Sequence, residues 1–362
     1  MLIATPWFPS AAHTGAGVFN LRDAQLLARD HEVRVLHLIR PDWYDASERG
    51  EAEGIPVERV PFSASAPRSW RGARIALAAG LRDAELLHTM AFPALLPLTG
   101  MRVEQPWVHT EHWSGLAKPV TGAKAPIKRA LHRRLRRPDE VVAVSAALAA
   151  SIRPWTRRDP RVIGNAVPLP PEGAVSRPAD PGRPLRIVSV GGIAPHKGPL
   201  LAADTVAELV NRGHDVELRW IGSGPQRAEL EQRAEVLGLG ERILLRGQLE
   251  RPELEAELLA AHAFLLPTAG ETFGVAFAEA LACGLPVVAS GTGGHVSMLS
   301  QFDAARIAER SAASLADALI DVLQGDDEAR RVATAAVARD RFSEEARLAA
   351  YAEVYQEAGT RR

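Results

Sequence analysis

Two glutamates eight residues apart carry the most specific chemical signal in the chain. They lie in Ala269-Gly270-Glu271-Thr272-Phe273-Gly274-Val275-Ala276-Phe277-Ala278-Glu279-Ala280-Leu281-Ala282-Cys283-Gly284-Leu285-Pro286-Val287-Val288-Ala289. Glu271 follows an apolar, strand-like run, and the spacing predicts a helix that begins near Gly274 and contains Glu279. A glycine ahead of the helix lets the backbone approach a ligand closely. Free amides at a helix N-terminus suit anionic or polar oxygens. A carboxylate accepts several hydrogen bonds, so Glu279 matches the vicinal hydroxyls of a ribose and Glu271 matches sugar hydroxyls. The plainer alternative is a surface Glu271 and a Glu279 favoured by the helix dipole. The apolar neighbours Phe277, Ala278, Ala280, Leu281 and Ala282 weigh toward function, because a carboxylate among them needs a partner.

A second constellation is Val190-Gly191-Gly192-Ile193-Ala194-Pro195-His196-Lys197-Gly198. A strand ends, a glycine pair turns, and Lys197 stands near the start of the next helix. A lysine beside helix amides suits a diphosphate, whereas a lone Gly-Gly before a helix with a surface lysine signifies little. Two further glycine turns end strands, Ile221-Gly222-Ser223-Gly224-Pro225 and Gly247-Gln248. Each reads equally as a ligand-facing loop or a plain turn.

In the first half, His13-Thr14-Gly15-Ala16-Gly17 follows the opening strand. Asn20 stands where a dinucleotide fingerprint has its third glycine, which disfavours nicotinamide binding. Backbone amides of Gly15, Ala16 and Gly17 facing a phosphate or an acceptor remain open. His109-Thr110-Glu111-His112-Trp113-Ser114-Gly115 follows another strand. His112 there can orient a sugar hydroxyl or relay a proton, while His109 reads as structural. No third ligand accompanies the two histidines, so no metal is assigned. Lys124, Lys128, Arg129, Arg133, Arg134, Arg136 and Arg137 crowd residues 121–137 without an acidic residue, and Leu131 and Leu135 form a narrow stripe. A solvated helix face explains this, and peripheral contact with an anionic membrane or a phosphorylated acceptor is the alternative. Trp7, Trp43, Trp70 and Trp113 can each stack on a ring or simply pack.

These residues need a scaffold, and 362 residues are too many for one ordinary core. Hydrophobic residues at 46% and charged residues at 24% describe a globular chain. A net charge of −1 gives no push toward nucleic acid. The single cysteine, Cys283, excludes an intramolecular disulfide and fits a reducing compartment. No apolar run reaches the roughly 18 residues of a membrane span. The opening residues lack a basic start and a cleavage site, so they read as a buried strand and not as a leader.

Short apolar runs alternate with glycine turns and helical stretches. Strands are expected at 2–5, 33–39, 57–60, 85–88, 106–110 and 140–144, with a helix over 18–29. A second series runs 185–190, 215–221, 243–246, 263–267 and 286–289, with helices near 200–212, 227–237, 252–261 and 275–283. Alternation of this kind argues parallel, doubly wound sheets. Between the series, residues 166–184 hold six prolines, which neither a helix interior nor a central strand tolerates. The expected organisation is an N-terminal acceptor-binding domain over 1–167, a linker over 168–184 and a nucleotide-sugar-binding domain over 185–342. Residues 343–358 form an amphipathic tail with Leu348, Tyr351, Val354 and Tyr355 apolar and Ser343 as its N-cap. Open parallel sheets bind ligands beyond their strand ends, which places an expected site in a crevice between the two domains.

The chain resembles the glycogen-synthase-like retaining glycosyltransferases of family four, which have the GT-B fold. The resemblance rests on the Glu271 to Glu279 spacing with the Ala-Cys-Gly-Leu-Pro-Val-Val-Ala-Ser segment after it. It also rests on Ala194–Gly198, on Gly222-Ser223-Gly224-Pro225, on Gly164-Asn165-Ala166-Val167-Pro168, and on Phe342-Ser343 before the last helix. It implies two facing Rossmann-like α/β domains, retention of anomeric configuration, and no metal or other cofactor beyond the nucleotide-sugar cosubstrate. It implies that the helix over 343–362 packs back on the N-terminal domain. Among the residues, it implies Lys197 on the donor diphosphate, Glu279 on the ribose, Glu271 on the transferred sugar and His112 near the reacting centre. Thr272, Phe273 and Gly274 would line the sugar and phosphate site, and Gly15 to Gly17 would face the donor phosphates. One position departs: many members carry an arginine five residues before the lysine, and here it is Gly192.

The leading expectation is sugar transfer from a nucleoside diphosphate sugar, a UDP-sugar foremost, to a hydroxyl of a glycan, lipid or small molecule. The alternatives are a nucleotide-sugar-binding partner subunit with weak catalysis, motivated by Gly192, and an epimerase or hydrolase of the same fold. Cytoplasmic residence is the default, with the inner membrane face open through the basic stretch.

Overall fold

The computed structural model describes every residue except Thr14, Arg49, Pro119, Asp180–Gly182 and Arg361–Arg362. The chain divides into two compact units, Met1–Asn165 with Arg347–Arg362, and Ala166–Ala346. The proline-rich segment belongs to the second unit, although residues 180–182 within it lie outside the described residues.

The first unit carries β1 (Leu2–Thr5), β2 (Arg34–Ile39), β3 (Glu51–Ala52), β4 (Ile55–Pro61), β5 (Leu87–Met90), β6 (Trp107–Glu111), β7 (Glu140–Ala143) and β8 (Arg161–Val162). They form one sheet in the order β3-β4-β2-β1-β5-β6-β7-β8, parallel throughout except the β3–β4 pair. Helices α1 (Val18–Leu27), α2 (Trp70–Arg82), α3 (Ala125–His132) and α4 (Ala146–Ile152) punctuate it. All four residues of β1 are buried, as are those of β5, β6 and β7, the unbroken burial that a sheet covered on both faces imposes.

The second unit carries β9 (Leu185–Val190), β10 (Val216–Ile221), β11 (Ile243–Gly247), β12 (Ala263–Leu266), β13 (Gly270–Glu271), β14 (Val287–Ser290), β15 (Thr292–Gly293) and β16 (Ala305–Ala308). The main sheet runs β11-β10-β9-β12-β14-β16, and β13 pairs with β15 alone. Its helices are α5 (Pro199–Asn211), α6 (Arg227–Val236), α7 (Arg251–Leu259), α8 (Val275–Ala282), α9 (Gly294–Leu299), α10 (Ala312–Leu323) and α11 (Glu328–Phe342). The pattern reading identifies the strands that lead to the glycine loops. It assigns nothing between Ala289 and Ser343, where β15, β16, α9, α10 and α11 stand. The run 312–323 does carry a helical stripe, with Leu315, Ala316, Leu319 and Val322 buried on one face.

The last helix, α12 (Glu344–Thr360), begins where Ser343 Oγ accepts the amide of Ala346 at 3.1 Å, the N-cap expected there. Arg347, Tyr351, Val354, Tyr355 and Ala358 are its buried stripe, at the spacing of one helix face. The last four of these join Ile3, Leu21, Val108 and Val142 in the first unit's core.

The basic stretch is not one helix. α3 ends at His132, and a single 3-10 turn covers Arg133–Arg136. Arg137 donates to the carbonyls of Leu98 and Met101, and its guanidinium carbon lies over an indole, 5.1 Å from the Trp107 ring centre. Arg134 donates to Thr99 Oγ1 at 3.1 Å. Part of the positive charge therefore pins the Leu98–Met101 turn. Among the described residues no helix is long and apolar enough to cross a membrane.

Candidate functional site

In the second unit, three glycine loops meet at the C-terminal ends of β9, β10 and β11. The amide of Ile193 donates to Ser223 O at 3.0 Å, Gln226 N returns to Ile193 O at 3.0 Å, and Gly222 N donates to Gly247 O at 2.7 Å. Gly192, Gly222, Gly224 and Gly247 are thus gathered at one sheet edge. A β-carbon at Gly224 would sit 2.4 Å from Ile193 O, so the packing of these loops requires glycine there. Gly192 differs: a β-carbon would meet only Ser223 O, at 3.6 Å.

Lys197 closes a short 3-10 turn, Pro195–Lys197, ahead of α5. Its Nζ donates to Glu271 Oε1 at 2.5 Å, and Thr268 Oγ1 donates to the same oxygen at 3.0 Å. Glu271 is not in a free loop, since β13 pairs it with Gly293 of β15. The cation and carboxylate are both about four-fifths shielded from solvent. Two chain segments 74 residues apart therefore present an ordered polar pair at the strand ends.

Gly274 caps α8 with φ 95°, and a β-carbon would lie 2.7 Å from the Phe277 ring. Only glycine takes that turn cheaply. Thr272 and Phe273 precede it. The Phe273 ring is buried edge-on against Phe342, with ring centres 5.9 Å apart, so the ring packs in the core and lines no open surface. Glu279 is buried one turn further along, and Arg251 Nη1 donates to its Oε1 at 2.8 Å. Arg251 Nη2 also reaches Pro168 O at 2.6 Å. Pattern reading missed Arg251, because nothing in sequence joins the start of α7 to the middle of α8. It also missed His295, which is fully buried, stacks on Phe277 at 5.2 Å and lies against Gly274. Burial lowers the His295 imidazole pKa below its ordinary value.

In the first unit, β6 delivers His109, Glu111 and His112. His109 bridges Thr89 Oγ1 at 2.9 Å and Glu111 Oε2 at 3.2 Å, fully buried and structural. Glu111 Oε1 accepts the amides of His112 at 3.0 Å and Trp113 at 2.7 Å. His112 is buried, its ring 4.8 Å from Phe19 and its Nε2 4.0 Å from Asp23 Oδ2. Asp23 is held by Arg347, whose Nε donates to Oδ1 and whose Nη2 donates to Oδ2, at 2.7 Å each. Burial, with the Arg347 charge second, lowers the His112 pKa well below its ordinary value, so the ring is neutral. The loop at the end of β1 is tight: Gly17 caps α1 at φ 72°, where a β-carbon would lie 2.3 Å from the Trp7 carbonyl carbon. Ala16 N donates to His13 O at 3.1 Å, and a β-carbon at Gly15 would meet open space. Thr14 lies outside the described residues.

A cavity of about 490 Å³ opens elsewhere, near the start of β9, between Arg177, Arg183, Arg186, Glu217 and His262. It contains none of the residues discussed above. Among the described residues, no group of three or more His, Cys, Asp or Glu side chains could hold a metal.

Residues 14–169 match the family described as Glycosyltransferase Family 4, and residues 176–339 match Glycosyl transferases group 1. The chain belongs to glycosyltransferase family 4. A 2-deoxystreptamine glucosyltransferase of Streptomyces kanamyceticus is 32% identical over 59% of this family 4 chain and 58% of that enzyme, so the match spans under two thirds of that relative. A D-inositol 3-phosphate glycosyltransferase of Xylanimonas cellulosilytica is 29% identical over 73% and 69%. A GDP-mannose-dependent alpha-(1-6)-phosphatidylinositol monomannoside mannosyltransferase of Mycolicibacterium smegmatis is 28% identical over 81% of each chain. The solved sucrose-phosphate synthase of Thermosynechococcus elongatus superposes with a TM-score of 0.75 at 21% identity, covering 100% of both chains. That likeness shows the shared GT-B fold, as the resemblance implies.

Proposed function

We propose that the chain transfers a sugar, with retention, from a nucleoside diphosphate sugar to a hydroxyl of a polyhydroxylated six-membered ring. The observation that carries the donor half is the Lys197–Glu271 pair beside the gathered glycine loops, with Glu279 buried in α8, the helix that follows β13. Lys197 takes the diphosphate, Glu279 the ribose hydroxyls and Glu271 the transferred sugar. The Gly274 cap and the amides of Thr272 and Phe273 supply donors to phosphate or sugar oxygens. The acceptor class is supported by two relatives named for cyclitol substrates, 2-deoxystreptamine and inositol 3-phosphate. A UDP-sugar is our first choice of donor.

In the proposed step, the acceptor oxygen bonds to the anomeric carbon on the face from which the diphosphate departs. The bond from that carbon to the diphosphate oxygen breaks, and the acceptor's proton passes to that oxygen. Lys197 stabilises the charge developing on the leaving group. Glu271 positions the sugar and forms no covalent bond, and neutral His112 accepts or donates a hydrogen bond to a substrate hydroxyl. No cofactor beyond the donor takes part.

The test is thermal stabilisation of the purified protein by UDP, GDP, ADP and TDP and their sugars, with Glu279→Ala and Lys197→Ala alongside. A ligand at 100 times its dissociation constant adds about 2.7 kcal/mol. Stabilisation by one nucleotide family, lost in both variants, is the expected result. Stabilisation that survives in both variants sinks the donor assignment. A second reading, a binding subunit with weak turnover, draws on Gly192, and robust transfer by the purified chain alone dismisses it.

A further inference from the structure

The proposed acceptor needs a surface for its apolar face, and the four candidate indoles are not equivalent. The Trp43 ring stacks on His13 at 3.8 Å with the Arg40 guanidinium 5.0 Å away. Trp70 is half-buried and its Nε1 donates to Ser63 O at 3.0 Å. Trp7 is half-buried, edge-on to Phe19 at 6.4 Å. Trp113 alone of the four is exposed, at 38%.

Its position is nevertheless fixed. Glu111 Oε1 takes the amides of His112 and Trp113 together, which sets the chain direction at both residues. The Trp113 indole lies on Gly115, where a β-carbon would come within 2.3 Å of its Cε2. The ring is also near-parallel to Phe92, at 6.4 Å and 20°. The ring is thus held by Gly115 and Phe92 and still leaves 38% of the residue open to solvent. It immediately follows the buried, neutral His112.

We propose that Trp113 is the acceptor-stacking platform of this chain, taking the C–H face of a cyclitol or pyranose ring and so bringing a rim hydroxyl toward His112. Indole offers a broad, rigid surface at low entropic cost. Gly115 is the residue that lets the indole lie flat, and Glu111 is the positioning residue that orients it. This inference rests on the proposed transfer reaction for its donor half.

The experiment measures transfer to 2-deoxystreptamine and to D-inositol 3-phosphate at saturating donor, for wild type, Trp113→Ala, Trp113→Phe and Gly115→Ala. The thermal shift given by the nucleotide donor is recorded for each. Trp113→Ala and Gly115→Ala are expected to raise the acceptor KM about tenfold, with the donor shift unchanged. Trp113→Phe, which keeps a smaller ring, is expected to recover part of that loss. Acceptor-dependent change in tryptophan emission is expected in wild type and not in Trp113→Phe. The proposal is overturned if acceptor KM stays within twofold of wild type, if neither ring accepts sugar from wild type that shows the donor shift, or if the donor shift falls as acceptor KM rises. It is also overturned if Trp113→Ala leaves acceptor KM alone and abolishes sedimentation with anionic vesicles, which would make the indole a membrane anchor. Loss of the donor shift in wild type is a separate outcome: it strikes the donor assignment, while the emission titration with the two rings still reads the platform.

Discussion

Lys197 Nζ sits 2.5 Å from Glu271 Oε1, and the same oxygen also takes the hydroxyl of Thr268. The pair joins the turn ahead of α5 to β13. In the proposed reaction, a diphosphate arriving at Lys197 would compete with the carboxylate for the same cation, and freeing Glu271 would let it accept sugar hydroxyls. Lys197→Ala is therefore expected to cut kcat/KM for the donor about 10- to 100-fold, the range of one charge-assisted contact. Glu271→Gln keeps the size and removes the charge, so it should lower kcat more than donor affinity. Steady-state kinetics with varied donor check both. Equal, small effects on every parameter would show that the pair is only structural.

Arg251 and Glu279 form the second pair that donor binding tests. Arg251 anchors Glu279 from one side and the Pro168 carbonyl with its other arm. Arg251→Ala leaves a buried carboxylate without that partner, so donor affinity should drop about tenfold and local stability should fall as well. Arg251→Lys should recover little, because a lysine cannot span two acceptors. Calorimetric donor titrations beside melting curves separate affinity from unfolding.

Gly192 is open to substitution. Its φ lies outside the left-handed region, and a β-carbon there meets only Ser223 O at ordinary contact distance. Gly192→Arg should fold normally and add a cation to the loop that carries Lys197. Nucleoside diphosphate affinity is expected to rise about tenfold, with a steeper salt dependence. Unchanged affinity would show that an arginine from this position does not reach the diphosphate.

Asp23 and Arg347 are joined by two 2.7 Å bonds and almost fully buried. Removing one partner strands the other, so Arg347→Leu should destabilise the first unit by about 3–5 kcal/mol. Asp23→Leu combined with Arg347→Leu should cost clearly less than the sum of the single changes. Hydrogen exchange in β1 and β6 reads this directly.

The histidines of the first unit set an acid limit. Burial lowers His37 and His88 to about 3 and His112 well below 6.5. Unfolded, each takes up a proton near pH 6.5. The unfolded chain therefore binds more protons below that value, and stability falls as pH falls, over a window from about 6.5 down to about 3 for His37 and His88. Well inside the window each group contributes about 1.4 kcal/mol of loss per pH unit. Denaturation midpoints are expected to drop between pH 6 and pH 5, and more gently in His88→Gln. Equal slopes for that variant and wild type would refute the assignment.

The sequence by itself determined the alternation of strands and helices, the glycine turns that end β9, β10 and β11, and the Glu271 to Glu279 spacing. Those features are local: burial on both faces writes apolar runs, turns with positive φ demand glycine, and a helix repeats its face every few residues. Tertiary structure alone decided which side chains meet. It joined Lys197 to Glu271 and Arg251 to Glu279, turned the Phe273 ring inward, divided the basic stretch at His132 and set Arg137 to hold the Leu98–Met101 turn. It also left Trp113 the exposed one among the four candidate tryptophans. Pairings across tens or hundreds of residues depend on how whole sheets and helices pack, and no local spacing encodes them. The same reason places Arg347 beside Asp23, 324 positions earlier in the chain.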